Sequence, residues 1–276
     1  MEPVVRSVYG AALQTAMLLG VPHEIKPNST LNQRFDVEKN AVHPEGVWPR
    51  VAYFCIGNGG HMLSSGVDGI PFVKSRQHEA TNANLFKPLP FVLRLITDDL
   101  TPLQRAKYAM RRQETHGGQT YYAYYLKRMD NASLDVTMQT RIIDKGITTT
   151  SDFVPSTSDL VPQPPALPNT GAIPVTSTYI TVSTLLALNL TAEDCKELLD
   201  VASIIYGDQN YAIISEIGLC SGVDKVLALT DGSNYKESIS TQIVSFISAF
   251  HQVAFTASGI SGLFDIGSNE PLMTTT

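Results

Sequence analysis

Residues 108–129 read YAMRRQETHGGQTYYAYYLKRM, and the reading of this stretch decides the fold class. The turn Thr115-His116-Gly117-Gly118-Gln119 separates two runs, Tyr108–Glu114 and Thr120–Met129, the second carrying Tyr121, Tyr122, Tyr124 and Tyr125. A Gly-Gly turn between arms rich in strand-forming residues predicts a β-hairpin. Just upstream, Phe91–Ile96 is strand-like. Asp98-Asp99-Leu100-Thr101-Pro102 then marks a helix start, with Thr101 as N-cap and Pro102 at the first helical position.

Toward the N-terminus, Val51–Ile56 reads as a short buried strand stopped by Gly57-Asn58-Gly59-Gly60. Residues 66–90 read as irregular, broken by Gly69, Pro71, Pro88 and Pro90, and 22–49 is a polar stretch punctuated by Pro and Asn. A loop that long normally serves function, contact with a partner, or disorder. Residues 3–20 are expected to form a helix with Val4, Val5, Val8, Ala11, Ala12, Leu18 and Leu19 on one stripe, ended by Gly20 and Pro22. Leu13 and Met17 lie off that stripe, so the helix is expected to be covered on more than one side.

Toward the C-terminus, Pro155, Pro162, Pro164, Pro165, Pro168 and Pro174 sit among Ser, Thr and Asn, which predicts an extended linker. Tyr179–Leu188 is β-like, and Thr191-Ala192-Glu193-Asp194 caps a helix whose buried stripe is Cys195, Leu198, Leu199, Ala202, Ile205 and Tyr206, ended by Gly207. Tyr211–Leu219 and Val226–Leu229 read as strands, with Asp231-Gly232 as a turn. Residues 239–255 fit a helical stripe, yet their β-branched and aromatic residues favour a strand. The chain is therefore read as α+β. It is a β-rich two-part protein with an N-terminal helix, a Pro-rich linker and a C-terminal β-domain containing one helix. The expected division is 1–145, a linker at 146–175, and 176–276.

Composition narrows the function. The 276 residues suggest one or two domains, and 17% charged residues fall below the ~25% of an average globular protein. Lys+Arg 20 against Asp+Glu 26 gives a net charge of −6, which disfavours a dedicated nucleic-acid-binding protein. No apolar run approaches the ~20 residues of a membrane span, so no membrane partner is expected. Met1-Glu2-Pro3 lacks the basic start of a signal peptide. The three cysteines, Cys55, Cys195 and Cys220, are odd in number and widely spaced, as in a reducing compartment.

Chemistry is sparse. Gly57-Asn58-Gly59-Gly60-His61 could present backbone N–H groups to a phosphate, but neither the dinucleotide fingerprint nor the P-loop Lys-Ser/Thr accompanies it. The histidines never pair at metal-ligand spacing, and Cys55 and Cys195 read as core. No cofactor, no metal and no catalytic residue is therefore expected. Arg105, Lys107, Arg111, Arg112, Lys127 and Arg128 are accompanied only by Glu114, a basic strip interleaved with tyrosines that could meet phosphates and bases. The bland reading is a solvated or docked hairpin face. The Asn-x-Ser/Thr sites at Asn28, Asn131 and Asn189 read as chance.

The stretch Ile213-Ile214-Ser215-Glu216-Ile217-Gly218-Leu219, followed by Val226–Leu229 and Tyr235-Lys236, resembles a strand of adaptor domains in tail-fibre and baseplate proteins of tailed bacteriophages. The close, Phe264–Leu272, and the blocks Leu89–Arg94, Asp98–Leu100 and Tyr121–Lys127 look similar to virion proteins of contractile-tailed phages. The resemblance implies an adaptor-like C-terminal domain and a virion structural subunit of the baseplate or tail, assembled in the host cytoplasm. Its expected partners are other virion proteins and copies of itself. A neck or head–tail connector is the nearest alternative. An enzyme using the Gly57–His61 turn and a nucleic-acid module using the 101–128 hairpin are the readings from other classes. Leu13, Met17, Arg111, Arg112, Tyr121, Tyr122, Tyr124 and Tyr125 are the expected contact residues.

Overall fold

The structure, a computed structural model, describes residues 4–26, 28–132, 134–154, 156–161, 177–228, 232, 234–255 and 259–272. In chain order the elements begin with β1 (Val4–Arg6), α1 (Val8–Leu19), α2 (Leu31–Phe35), β2 (Arg50–Gly57), β3 (His61–Ser65) and β4 (Pro71–Ser75). Next come β5 (Pro88–Leu89), β6 (Val92–Leu95), α3 (Pro102–Arg105), β7 (Tyr108–His116), β8 (Gln119–Arg128), β9 (Thr137–Asp144) and β10 (Ile147–Asp152). The series ends with β11 (Ser177–Leu190), α4 (Ala192–Tyr206), β12 (Ile213–Ala228), β13 (Asn234–Gln252) and β14 (Ile260–Leu272). Strands dominate, a helix lies near the N-terminus and one helix accompanies the C-terminal strands, which is the α+β class the sequence implies.

The chain divides into two compact units, Met1–Asp130 with Asn189–Ile260, and Asn131–Leu188 with Ser261–Thr276. This replaces the expected division at 146–175. The reason is strand pairing across the sequence: the first unit's sheet runs β1-β13-β12-β2-β8-β6, with β5 also on β2 and β7 on β8. The C-terminal hairpin β12–β13 thus pairs with N-terminal strands on both sides, all antiparallel. Tyr53, Phe54, Cys55 and Ile56 of β2 are all buried, as a continuous apolar run in a central strand requires.

The predicted hairpin forms: β7 and β8 pair from Tyr108–Lys127 to His116–Gln119, with Gly117 (φ 56°) and Gly118 (φ 80°) as its turn. Thr101 caps α3 in a reciprocal box with Gln104, and Thr191 does the same for α4 with Asp194. The two strands expected at 211–219 and 226–229 are one, because Cys220-Ser221-Gly222 keep pairing with β2 and β13. Residues 239–252 are strand, and the chain then turns at Val253–Phe255.

Other expectations need correction. The N-terminal helix starts at Val8 rather than residue 3, because Val4–Arg6 pairs with β13 and Ser7 caps the helix by accepting from Gly10 N–H. Its buried face is Gly10, Leu13 and Ala16, whereas Leu18 and Leu19, assigned to the core stripe, are 86% and 66% exposed. Gly10 sets this orientation: a Cβ there would come within 2.6 Å of the Val244 carbonyl, so the helix lies directly on β13 by its smallest residue. The polar stretch 22–49 is anchored on its own sheet. Asn32 of α2 donates to the carbonyls of Val37 and Ser238 and accepts from Thr241 N–H of β13. The irregular 66–90 contains β4, which closes a two-stranded hairpin with β3.

The second unit is a sheet in the order β10-β9-β11-β14, in which β9 pairs antiparallel with both β10 and β11. The start of the supposed linker is β10, joined to β9 by a tight turn at Lys145 (φ 47°) and Gly146 (φ 81°). The β-branched run Ile147-Thr148-Thr149-Thr150 favours strand, and its polar hydroxyls disguise it as a linker. The prolines that suggested the linker lie outside the described residues.

Candidate functional site

The stretch Ile213–Leu219 contains one ionisable side chain, Glu216, and it is buried. Its Oε1 accepts from the backbone N–H groups of Gly59 (3.0 Å) and Lys87 (2.8 Å). Its Oε2 accepts from Phe86 N–H (2.9 Å) and meets Nε2 of His78 at 2.8 Å. The His78 ring is sandwiched between Phe86 and Phe246, with both centroids at 4.1 Å, and the Arg76 guanidinium lies 3.7 Å over Phe86. Burial pushes the Glu216 carboxyl up. The bonds from His78, Lys87, Phe86 and Gly59 outweigh that and hold it below its ordinary value.

This node explains the glycine-rich turn. Gly59 N–H serves Glu216 and Gly60 N–H serves Ser215 Oγ at 3.0 Å. A Cβ at Gly60 would lie 2.3 Å from the Ser215 carbonyl, and one at Gly59 would lie 2.7 Å from Lys87 N. The backbone groups that could have cradled a phosphate are engaged within the protein, Asn58 N–H by the Lys87 carbonyl, Gly59 N–H by Glu216 and Gly60 N–H by the Ser215 hydroxyl. His61 at the end of the turn sits edge-on to Phe250, centroids 5.4 Å apart, and burial pushes its pKa down. Its Nδ1 is buried with no hydrogen-bond partner. Among the described residues no group of three or more His, Cys, Asp or Glu could hold a metal ion. Cys55, Cys195 and Cys220 are buried and free, with the sulfurs of Cys55 and Cys220 3.6 Å apart.

Five of the six basic residues of the 101–128 strip are paired within the chain. Arg111 and Arg105 reach Asp99 at 2.7 and 4.0 Å, Arg112 reaches Glu114 at 3.2 Å, Lys127 pairs with Asp194, and Arg128 with Asp224. Glu114 is the carboxylate the sequence shows within the strip, whereas Asp99, Asp194 and Asp224 come from outside it. Burial raises the carboxyl of Asp194, but the Lys127 ion pair and Thr191 outweigh that and hold it below its usual range.

The expected contact residues separate into two groups. Leu13, Tyr124 and Tyr125 are buried: Tyr124 donates to Asp99 (2.6 Å), and Tyr125 donates to Glu114 (2.6 Å) while stacking on Phe35 (4.2 Å). They serve the core and are not contact surface. The chain packs both faces of β8 there, which a tyrosine-rich pattern does not reveal. Met17 is 50% exposed, and Tyr121, Tyr122, Arg111 and Arg112 are partly exposed, Arg111 lying 4.2 Å over the Tyr122 ring.

The larger exposed apolar surface went unread. On the β3–β4 hairpin and its tip, Met62, Leu63, Val67, Ile70, Phe72 and Val73 are 45–87% exposed. The signal was present as two apolar pairs, Met62-Leu63 and Phe72-Val73, flanking Gly66 and Gly69. A cavity of about 310 Å³, lined by both polar and apolar side chains, also opens beside the 22–49 stretch. There His23 bonds Gln242 at 3.0 Å and His43 meets Ser240 at 3.4 Å.

These features define a β-rich α+β protein whose buried ionisable groups fasten its own loops and which, besides its apolar core, leaves several large apolar side chains exposed. Residues 1–276 match the family of unknown function DUF7208, and the chain belongs to that family. No curated protein and no solved structure matches it. Among the described residues no helix is long and apolar enough to cross a membrane.

Proposed function

We propose that this chain is a structural subunit of a tailed-bacteriophage virion, built into the baseplate or tail, and that it acts by assembly rather than by catalysis. Its partners are neighbouring virion proteins and further copies of itself, joined in the host cytoplasm. A neck or head–tail connector subunit is the closest variant of the same role.

The observation that carries the reading is the partition of side chains. Glu216, Asp99, Glu114 and Asp194 are each engaged in bonds within the fold, including the bonds made by the glycine-rich turn and the basic hairpin. Meanwhile Leu18, Leu19, Leu63, Val67 and Ile70 stand in solvent at 66–87% exposure. Polar groups that fasten loops and apolar groups that face outward suit a part that is held by other parts. The phage resemblance of the Glu216 strand supplies the kind of assembly.

The test is the composition of purified particles. Tailed particles would be banded on a density gradient, split into heads and tails, and each fraction read by mass spectrometry. The chain is expected at a fixed stoichiometry in the tail fraction. Recovery with the head–neck fraction would move it to the connector. Absence from every particle fraction overturns the reading.

A further inference from the structure

The cavity beside the 22–49 stretch has a charge that the chain as a whole does not share. The ionisable side chains lining it are His23, Lys26, Lys39 and His43, with no carboxylate among its lining residues. The whole chain carries Asp+Glu 26 against Lys+Arg 20. Glu24 and Asp36 hold Lys26 and Lys39 at 2.7 and 2.6 Å, in pairs that lie in solvent. Exposed pairs of this kind are weak, so an anion in the cavity can draw both ammonium groups inward. Ile25, Ala41 and Val42 supply an apolar part of the wall.

Both imidazoles are held by one nitrogen and leave the other. Gln242 donates its Nε2–H to Ser29 Oγ at 2.8 Å, so its Oε1 accepts from Nε2–H of His23. His43 is held at Nδ1 by Ser240 Oγ. His23 Nδ1 and His43 Nε2 have no hydrogen-bond partner among the described residues. Burial and the charge of His23 push the His43 pKa down, which puts the two rings within electrostatic reach of each other. Ser240 itself has a φ of 55°, where the register of β13 on β12 breaks between Ser221 and Val223. Glycine would take that conformation without strain; strain kept in a residue with a side chain gathers at sites that use it, and bulges re-aim side chains there.

The chemistry of the lining selects its ligand. Two lysines and no carboxylate repel a cation. A peptide or a nucleic-acid strand exceeds a cavity at the lower end of the ~300–1,000 Å³ range of small-molecule sites. A carboxylate brings one charge and two oxygens to four basic groups, whereas a phosphomonoester brings nearly two charges and three oxygens. We propose that this cavity binds the phosphomonoester of a small organic molecule, its phosphate held by His23, His43, Lys26 and Lys39 and its organic body against Ile25, Ala41 and Val42. The proposal goes beyond the assembly reading and does not depend on it. His23 in its Nε2–H form presents a lone pair at Nδ1 and donates there only after taking up a proton, so binding carries a proton into the site. The charged groups around the rings are Lys26 and Lys39, Glu24 and Asp36 bound to them, and Glu38, which pairs with Lys225. From α2 and β13 the neighbours are Asn32, Ser240 and Gln242, none of which ionises.

The test is calorimetric titration of the full chain at physiological salt with phenyl phosphate, inorganic phosphate and benzoate as probes. Phenyl phosphate is expected to bind saturably, at least tenfold tighter than benzoate and several-fold tighter than inorganic phosphate. Its affinity is expected to fall severalfold between about pH 6.5 and about pH 8, with proton uptake seen as a dependence of the heat on the buffer. Lys26→Gln with Lys39→Gln, at exposed positions, is expected to weaken binding at least tenfold without moving the melting temperature, and His43→Gln to reduce the proton uptake. If His43→Gln melts early, the ring resonances replace it: those of His23 and His43 should move on binding while that of His116 stays. The absence of saturable binding at millimolar phenyl phosphate overturns the proposal, as does undiminished binding by the lysine variant. Benzoate binding as tightly as phenyl phosphate overturns the choice of phosphate, and inorganic phosphate binding as tightly overturns the organic ligand. Recovery or absence of the chain in tail particles leaves each of these outcomes unchanged, so the site and the assembly reading fail separately.

Discussion

Glu216 shows how one side chain can hold three segments together. Its two oxygens receive three backbone N–H bonds and His78, from residues that lie 129 to 157 positions away. Glutamine in its place would keep one oxygen and turn an amide NH₂ toward Phe86 N–H, leaving buried donors face to face. Glu216→Gln is therefore expected to lower stability by about 3 kcal/mol, measured by urea unfolding at pH 7. The folded carboxyl titrates below its ordinary value of 4.5, so the unfolded chain takes up the proton first as the pH falls. The stabilisation is present above about pH 4.5 and drains away as the pH drops toward the folded value. The variant should lose that part of the acid slope. Glu237 has the opposite sign: burial raises its carboxyl even though Met110, Ser238 and Arg111 N–H groups donate to it. Its contribution is greatest at low pH and declines as the pH rises through its raised folded value.

At the scale of elements, two glycine turns should respond differently to a methyl group. At Gly60 the new Cβ would press on the Ser215 backbone, and relieving that contact means lifting the turn off β12. At Gly118 there is open space, and only the positive φ of 80° opposes alanine. Gly60→Ala is expected to lose about 3 kcal/mol or more and Gly118→Ala about 1 kcal/mol, read from paired thermal melts. The hairpin at 108–128, both capping boxes and the strand at 239–252 were legible, because local chemistry decides them. The β9–β10 hairpin was also written locally, in Lys145-Gly146, but its threonines resemble a linker to any reading that equates polar with loose. The face of α1 was not legible. It depends on which residue lets the helix approach Val244, and that is decided by a strand more than 230 residues away. For the same reason the candidate contact surface was half read: exposure at Met17 follows from the helix, whereas burial of Leu13, Tyr124 and Tyr125 follows from distant partners.

At the scale of the whole molecule, each unit is assembled from two separated stretches of chain. The second unit's sheet receives its last strand, β14, only after the chain has returned from the first unit. A chain ending at residue 260 is expected to keep the first unit and to be cut by limited proteolysis within 131–188, where β11 would have lost a neighbour. Protection of 131–188 equal to that of the full chain would show that β14 contributes no stability there.

The place of β12 in the sheet has a consequence on the ribosome. β2 pairs with β12, yet about 155 residues separate the end of one from the start of the other. At roughly 5–20 residues per second, Tyr53–Ile56 must wait on the order of ten seconds or more after emerging before their central neighbour exists. During that interval the nascent N-terminal half carries an apolar strand with an open edge, and crowded polysomes bring many such edges together. Trigger factor-like holdases, slow early codons or coexpressed neighbours should therefore govern soluble yield more than the stability of the finished protein does.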